Sequence, residues 1–153
     1  MISGGRQSER PLTGLFTGDG SPLSIDNYER SGGYAALRKA LRMNPADIIH
    51  DVQASGLRGR GGAGFPTGQK WTFVPGQGKE TPSPRYVISN SDEMEPGAFK
   101  DRVLMEGNPH QLIEGLAIAA IAVGAGNAYI FLRWEYGESK NRLRAAVKES
   151  YSR

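Results

Sequence analysis

Two apolar runs constrain this chain most: Arg85–Asn90 (RYVISN) and Ala128–Arg133 (AYIFLR), each followed by a helical pattern. Adjacent Tyr, Val and Ile residues lack the alternation of a half-solvated strand, so both runs read as strands of a parallel sheet covered on both faces. Asn108-Pro109 opens the helix between them. Asn108 is its cap, Pro109 has no N–H to leave unpaired, and Gln111 stands at the third position of a capping box. Leu112, Ile113, Leu116, Ala120 and Val123 then recur at helical spacing until Gly124 and Gly126. Tyr136–Tyr151 is a second helix, with Leu143, Ala146 and Val147 on one face. Strand, helix, strand, helix makes a βαβ unit, which predicts a right-handed crossover. Two strands alone do not make a stable sheet. The chain therefore pairs further strands or belongs to something larger.

Upstream, residues 1–20 read as an irregular leader. Tyr34–Met43 carries Leu37 and Leu41 four apart among Arg38, Lys39 and Arg42, an amphipathic helix. Asn44-Pro45 caps and starts another, with Ile48, Ile49 and Val52 at helical spacing and Gly56 as its stop. Lys70–Val74 is a helical turn ended by Pro75, followed by a polar loop over Gly76–Pro84. Ser91–Gly107 is a long polar loop with some helix inside it.

The chain has no cysteine. Disulfides, thiol catalysis and cysteine-held clusters are excluded within it. Two histidines make a His-rich zinc site improbable. The net charge of +3 is spread without a block of like charges, which argues against a nucleic-acid partner. The longest apolar stretch, Leu112–Val123, is too short to span a bilayer and contains Glu114. The expected location is cytosolic, or peripheral on the cytoplasmic face of the inner membrane.

Of the 21 glycines, the dense cluster falls in Gly56–Gly68. Gly59, Gly61 and Gly64 match G-x-G-x-x-G, but the preceding residues look helical, so the dinucleotide fingerprint lacks its strand. No glycine lies at the spacing a phosphate-binding Walker loop requires. The physical reading survives without either pattern. Successive glycines leave N–H groups uncovered for a flat or anionic ligand, and Arg58, Arg60 and Lys70 add positive charge. Phe65 offers a surface for stacking, whereas Trp71 is assigned to the core.

The stretch Ser89–Arg102 begins at the end of the first strand, where ligands bind in open parallel sheets. Asn90 can donate and accept. Asp92, Glu93 and Glu95 can hold ribose or ribityl hydroxyls, or oxygen-coordinate a divalent cation. A solvated acidic turn is the competing reading.

Together, GLRGRGGAGFPTGQKW and NSDEMEPGAFKDR resemble the paired signatures of the 51-kilodalton flavoprotein family. PHQLIEG and AYIFLRWEY extend the likeness over roughly residues 10–150. Members include the F subunit of bacterial NADH-quinone oxidoreductase and the diaphorase subunits of NAD-linked hydrogenases and formate dehydrogenases, and the MEP of the acidic loop leans toward the respiratory subunit. The resemblance implies an α/β fold: a Rossmann-like three-layer αβα FMN-binding domain with parallel strands. Here it would be truncated and preceded by a helical segment, with residues 21–153 as its N-terminal portion. It implies hydride transfer from NADH to FMN, then single electrons to a [4Fe–4S] cluster whose ligands this chain lacks. By motif, Gly59, Arg60, Gly61, Gly62 and Lys70 would surround the FMN phosphate and ribityl. Asn90, Asp92 and Glu93 would hydrogen-bond the flavin side. Phe65 and Phe73 would stack on the NADH adenine, and Glu95 would line the nicotinamide approach. The implied partners are the E and G subunits of the peripheral arm. Ser89 stands where many members have Cys, and Trp134 where many have Gly. Family members run much longer, so the expectation is a fragment that does not turn over alone. The alternatives are a flavin-binding module without catalysis and a ligand-free remnant.

Overall fold

The computed structural model describes residues 10–74 and 84–153. Their elements are α1 (Ile25–Arg30), α2 (Ala35–Ala40), α3 (Pro45–Ala54), α4 (Thr67–Thr72), β1 (Tyr86–Ser91), α5 (Lys100–Gly107), α6 (Pro109–Val123), β2 (Asn127–Leu132) and α7 (Gly137–Ser150). The two strands pair in parallel, with Tyr86 opposite Asn127 and Ser91 opposite Leu132. Helix α6 packs on both strands and against α7, α5, α3 and α2, so it is the beam of the structure.

The parallel pairing is as expected, but the sheet is not covered on both faces. Val87, Ser89 and Ser91 face the helices and are wholly or partly buried. On the other face Tyr86, Ile88, Tyr129 and Phe131 are all exposed, Ile88 at 63% and Phe131 at 61%. The pairing register sets Ile88 beside Tyr129 and Asn90 beside Phe131, making one apolar strip. An apolar strand sequence says that something covers each face; it does not say that the cover is among these residues.

Asn108 caps α6 as predicted, but the capping box is incomplete: the Asn108 backbone N–H donates to the Leu104 carbonyl at 2.9 Å, and Gln111 Oε1 meets only the Asn108 side-chain amide at 3.4 Å. The Asn108 side chain accepts a hydrogen bond from the Gln111 backbone N–H at 3.3 Å, and Gly124 closes the helix at φ 67°. Asn44 precedes Pro45 as expected, but its side chain makes no capping bond. Trp71 packs in the core around Ala40, Ile48 and Ala122.

Helix α1 was not anticipated. Ser24 caps it by accepting from the Asn27 N–H at 3.3 Å, and Ile25 and Tyr28 join Leu23 and Tyr34 in a small core. Helix α2 is shorter than the predicted Tyr34–Met43 at both ends: it stops at Ala40, and it starts only at Ala35 because Tyr34 adopts a left-handed conformation, φ 60°. A non-glycine residue holds that region only when its surroundings fix it. Glu114 supplies the fixing. Its buried carboxylate accepts from the Tyr34 N–H at 2.8 Å, the Leu37 N–H at 2.9 Å and the Tyr28 hydroxyl at 2.5 Å. The charge thus meets the free N–H groups at the start of α2.

A second buried chain of polar groups ties α2, α6 and α7 together. The Tyr34 hydroxyl lies 2.9 Å from His110 Nδ1 and 2.7 Å from Ser150 Oγ, and His110 Nε2 lies 3.1 Å from a Glu149 carboxylate oxygen. With a neutral imidazole whose Nε2–H donates to Glu149, Nδ1 accepts from the Tyr34 hydroxyl, and the Ser150 hydroxyl donates to the Ala146 carbonyl at 2.8 Å. Burial of His110, 1% exposed, pushes its pKa below the ordinary histidine value, and Glu149 opposes that shift in part.

Candidate functional site

The glycine segment is a closed loop between two helices. The Gly59 N–H donates to the Phe65 carbonyl at 2.9 Å and the Thr67 N–H to the Leu57 carbonyl at 2.8 Å. Arg58 Nη1 donates to the Gly64 carbonyl at 3.0 Å. Part of the Arg58 guanidinium therefore holds the loop shut rather than standing free for an anion. The base of the loop is fixed by Gly68. A Cβ there would sit 2.6 Å from the Gln53 nitrogen and 2.8 Å from its Cα, so only glycine lets α4 lie this close to α3. Helix α4 begins at Thr67, three residues before the predicted turn, with Phe73 as its cap. Pro75 and residues 76–83 of the predicted loop lie outside the described residues.

Between those fixed ends the tip is bare. Gly61, Gly62 and Gly64 have open space where a Cβ would stand, and Gly62 sits at φ 106°, a conformation that L side chains rarely adopt. Arg60 and Lys70 are exposed, and neither side chain makes a hydrogen bond or ion pair among the described residues. Phe65 and Phe73 lie with ring centroids 5.9 Å apart and are 43% and 66% exposed. The loop follows α3 and leads into α4, so the missing-strand objection to a dinucleotide fingerprint stands. Its link to the sheet runs through the core: α4 packs on α3, α3 on α6, and α6 on β1.

The acidic loop leaves the carboxyl end of β1 and divides into separate roles. Asn90 is exposed at the strand end. Asp92 Oδ1 is buried without a hydrogen-bond partner, and Arg133 Nη1 approaches it only to 4.0 Å. A buried acceptor left unpaired is costly, on the order of 1–3 kcal/mol, and marks a position waiting for a donor. Glu93 is engaged elsewhere. Its carboxylate accepts from the backbone N–H groups of Lys100 at 2.9 Å, Asp101 at 3.0 Å and Arg102 at 3.4 Å. Burial works against its charged form, but the Asp101 and Arg102 N–H groups and the Lys100 ammonium outweigh it, so its pKa lies below the ordinary glutamate value. Turned onto the start of α5, Glu93 anchors the loop instead of facing a ligand. Tyr136 completes the anchor by donating its hydroxyl to the Glu93 carbonyl at 2.6 Å, with the Arg102 guanidinium 5.1 Å from its ring centroid. Sequence reasoning missed Tyr136 and Arg133, because their partners Glu93 and Asp92 lie far back along the chain. Glu95 is exposed. No group of three His, Cys, Asp or Glu residues among those described could hold a metal ion, so the acidic loop gains no support as a cation site.

The fold is α/β with a parallel strand pair, and the bare glycine tip with Arg60 and Lys70 lies on a different loop from the unpaired Asp92 oxygen at the end of β1. Comparison with known proteins makes this specific. The sequence profile described as the Nuo51 FMN-binding domain matches residues 52–153, and the chain belongs to that family. It is 54% identical over 134 residues to the second F subunit of NADH-quinone oxidoreductase in Rhizobium meliloti (strain 1021), covering 87% of this chain and 31% of that protein. It is 48% identical over 141 residues to the F subunit of the same oxidoreductase in Escherichia coli (strain K12), covering 92% and 31%. Among solved structures, the NAD+-reducing [NiFe]-hydrogenase in the air-oxidized state aligns with a TM-score of 0.69 at 38% identity, covering 87% of this chain and 23% of the hydrogenase chain. The chain thus spans about a third of the length of the curated relatives it matches. No described helix is long and apolar enough to cross a membrane.

The chemistry of these residues is compatible with FMN: the open backbone of the glycine tip with Arg60 and Lys70 would suit a phosphate, and the unpaired Asp92 oxygen would suit a hydroxyl of the ribityl chain.

Proposed function

We propose that this chain forms the FMN-holding and NADH-facing part of an NADH-oxidising assembly. The observation that carries the reading is the bare glycine tip beside two cations without partners among the described residues. FMN, when bound, supplies the acceptor for the hydride of NADH. Gly59, Arg60, Gly61, Gly62 and Lys70 enclose the phosphate and the near ribityl. Asn90 and Asp92 bind hydroxyl and ring polar groups from the end of β1. Glu93 acts one step back, through its anchor on α5. Phe65 and Phe73 stack on the adenine of NADH, and Glu95 lines the nicotinamide approach.

The chain works as one part of a shared site. It has no cysteine, so the [4Fe–4S] cluster that receives electrons is held by other residues. In the respiratory setting its neighbours are the E and G subunits, at the cytoplasmic face of the membrane. The likeness to the NAD+-reducing hydrogenase supports a second setting, as a diaphorase module.

Titration with FMN, followed by flavin fluorescence, tests the binding. Saturable quenching that weakens at least about tenfold in both Gly62→Trp and Lys70→Glu is the expected result. Anaerobic NADH then bleaches the bound flavin if both ligands share the site. Quenching unchanged in both variants refutes the assignment.

A further inference from the structure

Asp92 and Arg133 leave the carboxyl ends of neighbouring parallel strands at the same level, one residue beyond the last register pair, Ser91 with Leu132. Asp92 brings a buried oxygen, Oδ1, that has no hydrogen-bond partner. Arg133 brings a guanidinium that Glu135 holds along one edge. Its Nε donates to Glu135 Oε2 at 3.0 Å and its Nη2 to Oε1 at 3.4 Å. The third nitrogen, Nη1, makes no hydrogen bond among the described residues and stops 4.0 Å from Asp92 Oδ1. That gap is too long for a hydrogen bond, yet short enough for opposite charges to attract. A fork held by Glu135 thus backs the Asp92 carboxylate without closing on it.

The short connection from β2 to α7 fixes this arrangement. The Tyr136 N–H donates to the Arg133 carbonyl at 3.2 Å, and the Gly137 N–H to the Glu135 carbonyl at 2.9 Å. The same turn sends the Tyr136 hydroxyl to the Glu93 carbonyl at 2.6 Å. Two adjacent residues of the acidic loop are therefore approached from one turn, Glu93 at its backbone and Asp92 at its charge. The hydrogen bonds from Arg133 hold the Glu135 pKa below the ordinary glutamate value, so the fork stays charged at neutral pH.

We infer that Arg133 is a positioning residue for flavin binding: it holds the Asp92 carboxylate ready for a ligand hydroxyl, and Glu135 limits how closely it does so. A carboxylate has about four acceptor sites, so one taken by Arg133 leaves others for the ligand. In this role Arg133 touches neither phosphate nor ring and acts through Asp92. The inference rests on the flavin reading above, in which Asp92 meets a ribityl hydroxyl. Riboflavin carries the ribityl chain of FMN without the phosphate, so it separates the Asp92 side of the site from the glycine tip.

Fluorescence titration of the whole chain with FMN and with riboflavin tests it. In Arg133→Gln both flavins are expected to bind about tenfold more weakly, by the same factor, whereas Lys70→Glu weakens FMN alone. Glu135→Ala, at an exposed position, releases Arg133 onto Asp92 and tightens both flavins about threefold; in the Arg133→Gln background it changes nothing. A residue needed only for folding does not give effects of opposite sign that vanish together. Four results overturn the inference and leave the flavin reading standing: binding unchanged in Arg133→Gln, a loss there confined to FMN, FMN bound but riboflavin not, or no tightening in Glu135→Ala. The last of these is readable even where Arg133→Gln fails to fold. No quenching of either flavin by the unmodified chain overturns the flavin reading, and this inference with it.

Discussion

Replacing Glu93 with Gln isolates what its charge does. The side chain is 1% exposed, so water cannot replace a lost partner. One carboxylate oxygen accepts from the Lys100 and Asp101 N–H groups, and the other from Asp101 and Arg102. Glutamine keeps one acceptor but turns an NH2 group toward N–H donors. One charge-assisted hydrogen bond is lost, worth about 1.5–3 kcal/mol, together with the interaction of the charge with the start of α5, about 0.3–1 kcal/mol. The expected loss is therefore about 2–4 kcal/mol, read from urea unfolding followed by tryptophan fluorescence and circular dichroism. Exposed Glu95→Gln, two residues away, stays within about 0.5 kcal/mol. The pH dependence gives a second check. The Glu93 pKa is lowered in the folded chain from 4.5. The unfolded state thus binds more protons below that value, and the stabilisation is complete above about pH 4.5 and fades as pH falls through the folded pKa. The gap between native chain and variant must shrink in acid. A loss below about 0.5 kcal/mol at neutral pH, or a gap that does not shrink in acid, refutes the anchor.

Gly68→Ala forces a Cβ against the Gln53 backbone, and the clash costs about 1–3 kcal/mol in the same unfolding assay, since backbone cannot swing aside as a side chain can. His110, whose pKa is lowered from 6.5, contributes the opposite proton balance to a raised group: the folded chain excludes the proton, so stability falls as pH drops below about 6.5, by at most about 1.4 kcal/mol per pH unit. His110→Gln removes that slope in unfolding measured between pH 7.5 and 5.5 (about one unit either side of the ordinary pKa). Phe131→Thr, at a position 61% exposed, changes the stability of the isolated chain by less than about 0.5 kcal/mol; a core-sized loss would mean the face is covered.

How much of this was legible in the sequence varies by kind of signal. Local rules read well. Asn108 as the cap of α6, Gly56 and Gly124 as helix stops, and the parallel pairing of two apolar runs appear as expected. Helix α1 was readable in principle, since Ser24 precedes Ile25 and Tyr28 at helical spacing, but six residues carry too little periodicity to stand out. Long-range partners were not readable. Glu114 counted only as a charge inside an apolar stretch, yet it fixes Tyr34 and starts α2 from eighty residues away. Glu93 and Asp92 look alike in the acidic loop, and only the fold separates them. One meets the N–H groups of α5, and the other is left with a bare oxygen. The glycine segment read correctly as uncovered backbone because its chemistry is local. The anchor through Gly68 depends on α3 passing beneath it.

Flavin binding at the glycine tip is tested most directly by amide chemical-shift mapping of the isotope-labelled chain during addition of FMN. Shifts are expected to concentrate at Gly59–Gly64, Lys70 and Asn90–Asp92, with the Lys100–Arg102 amides held steady by Glu93. Shifts confined to the exposed apolar strip of β1 and β2, or none at FMN concentrations that saturate fluorescence, would contradict that placement.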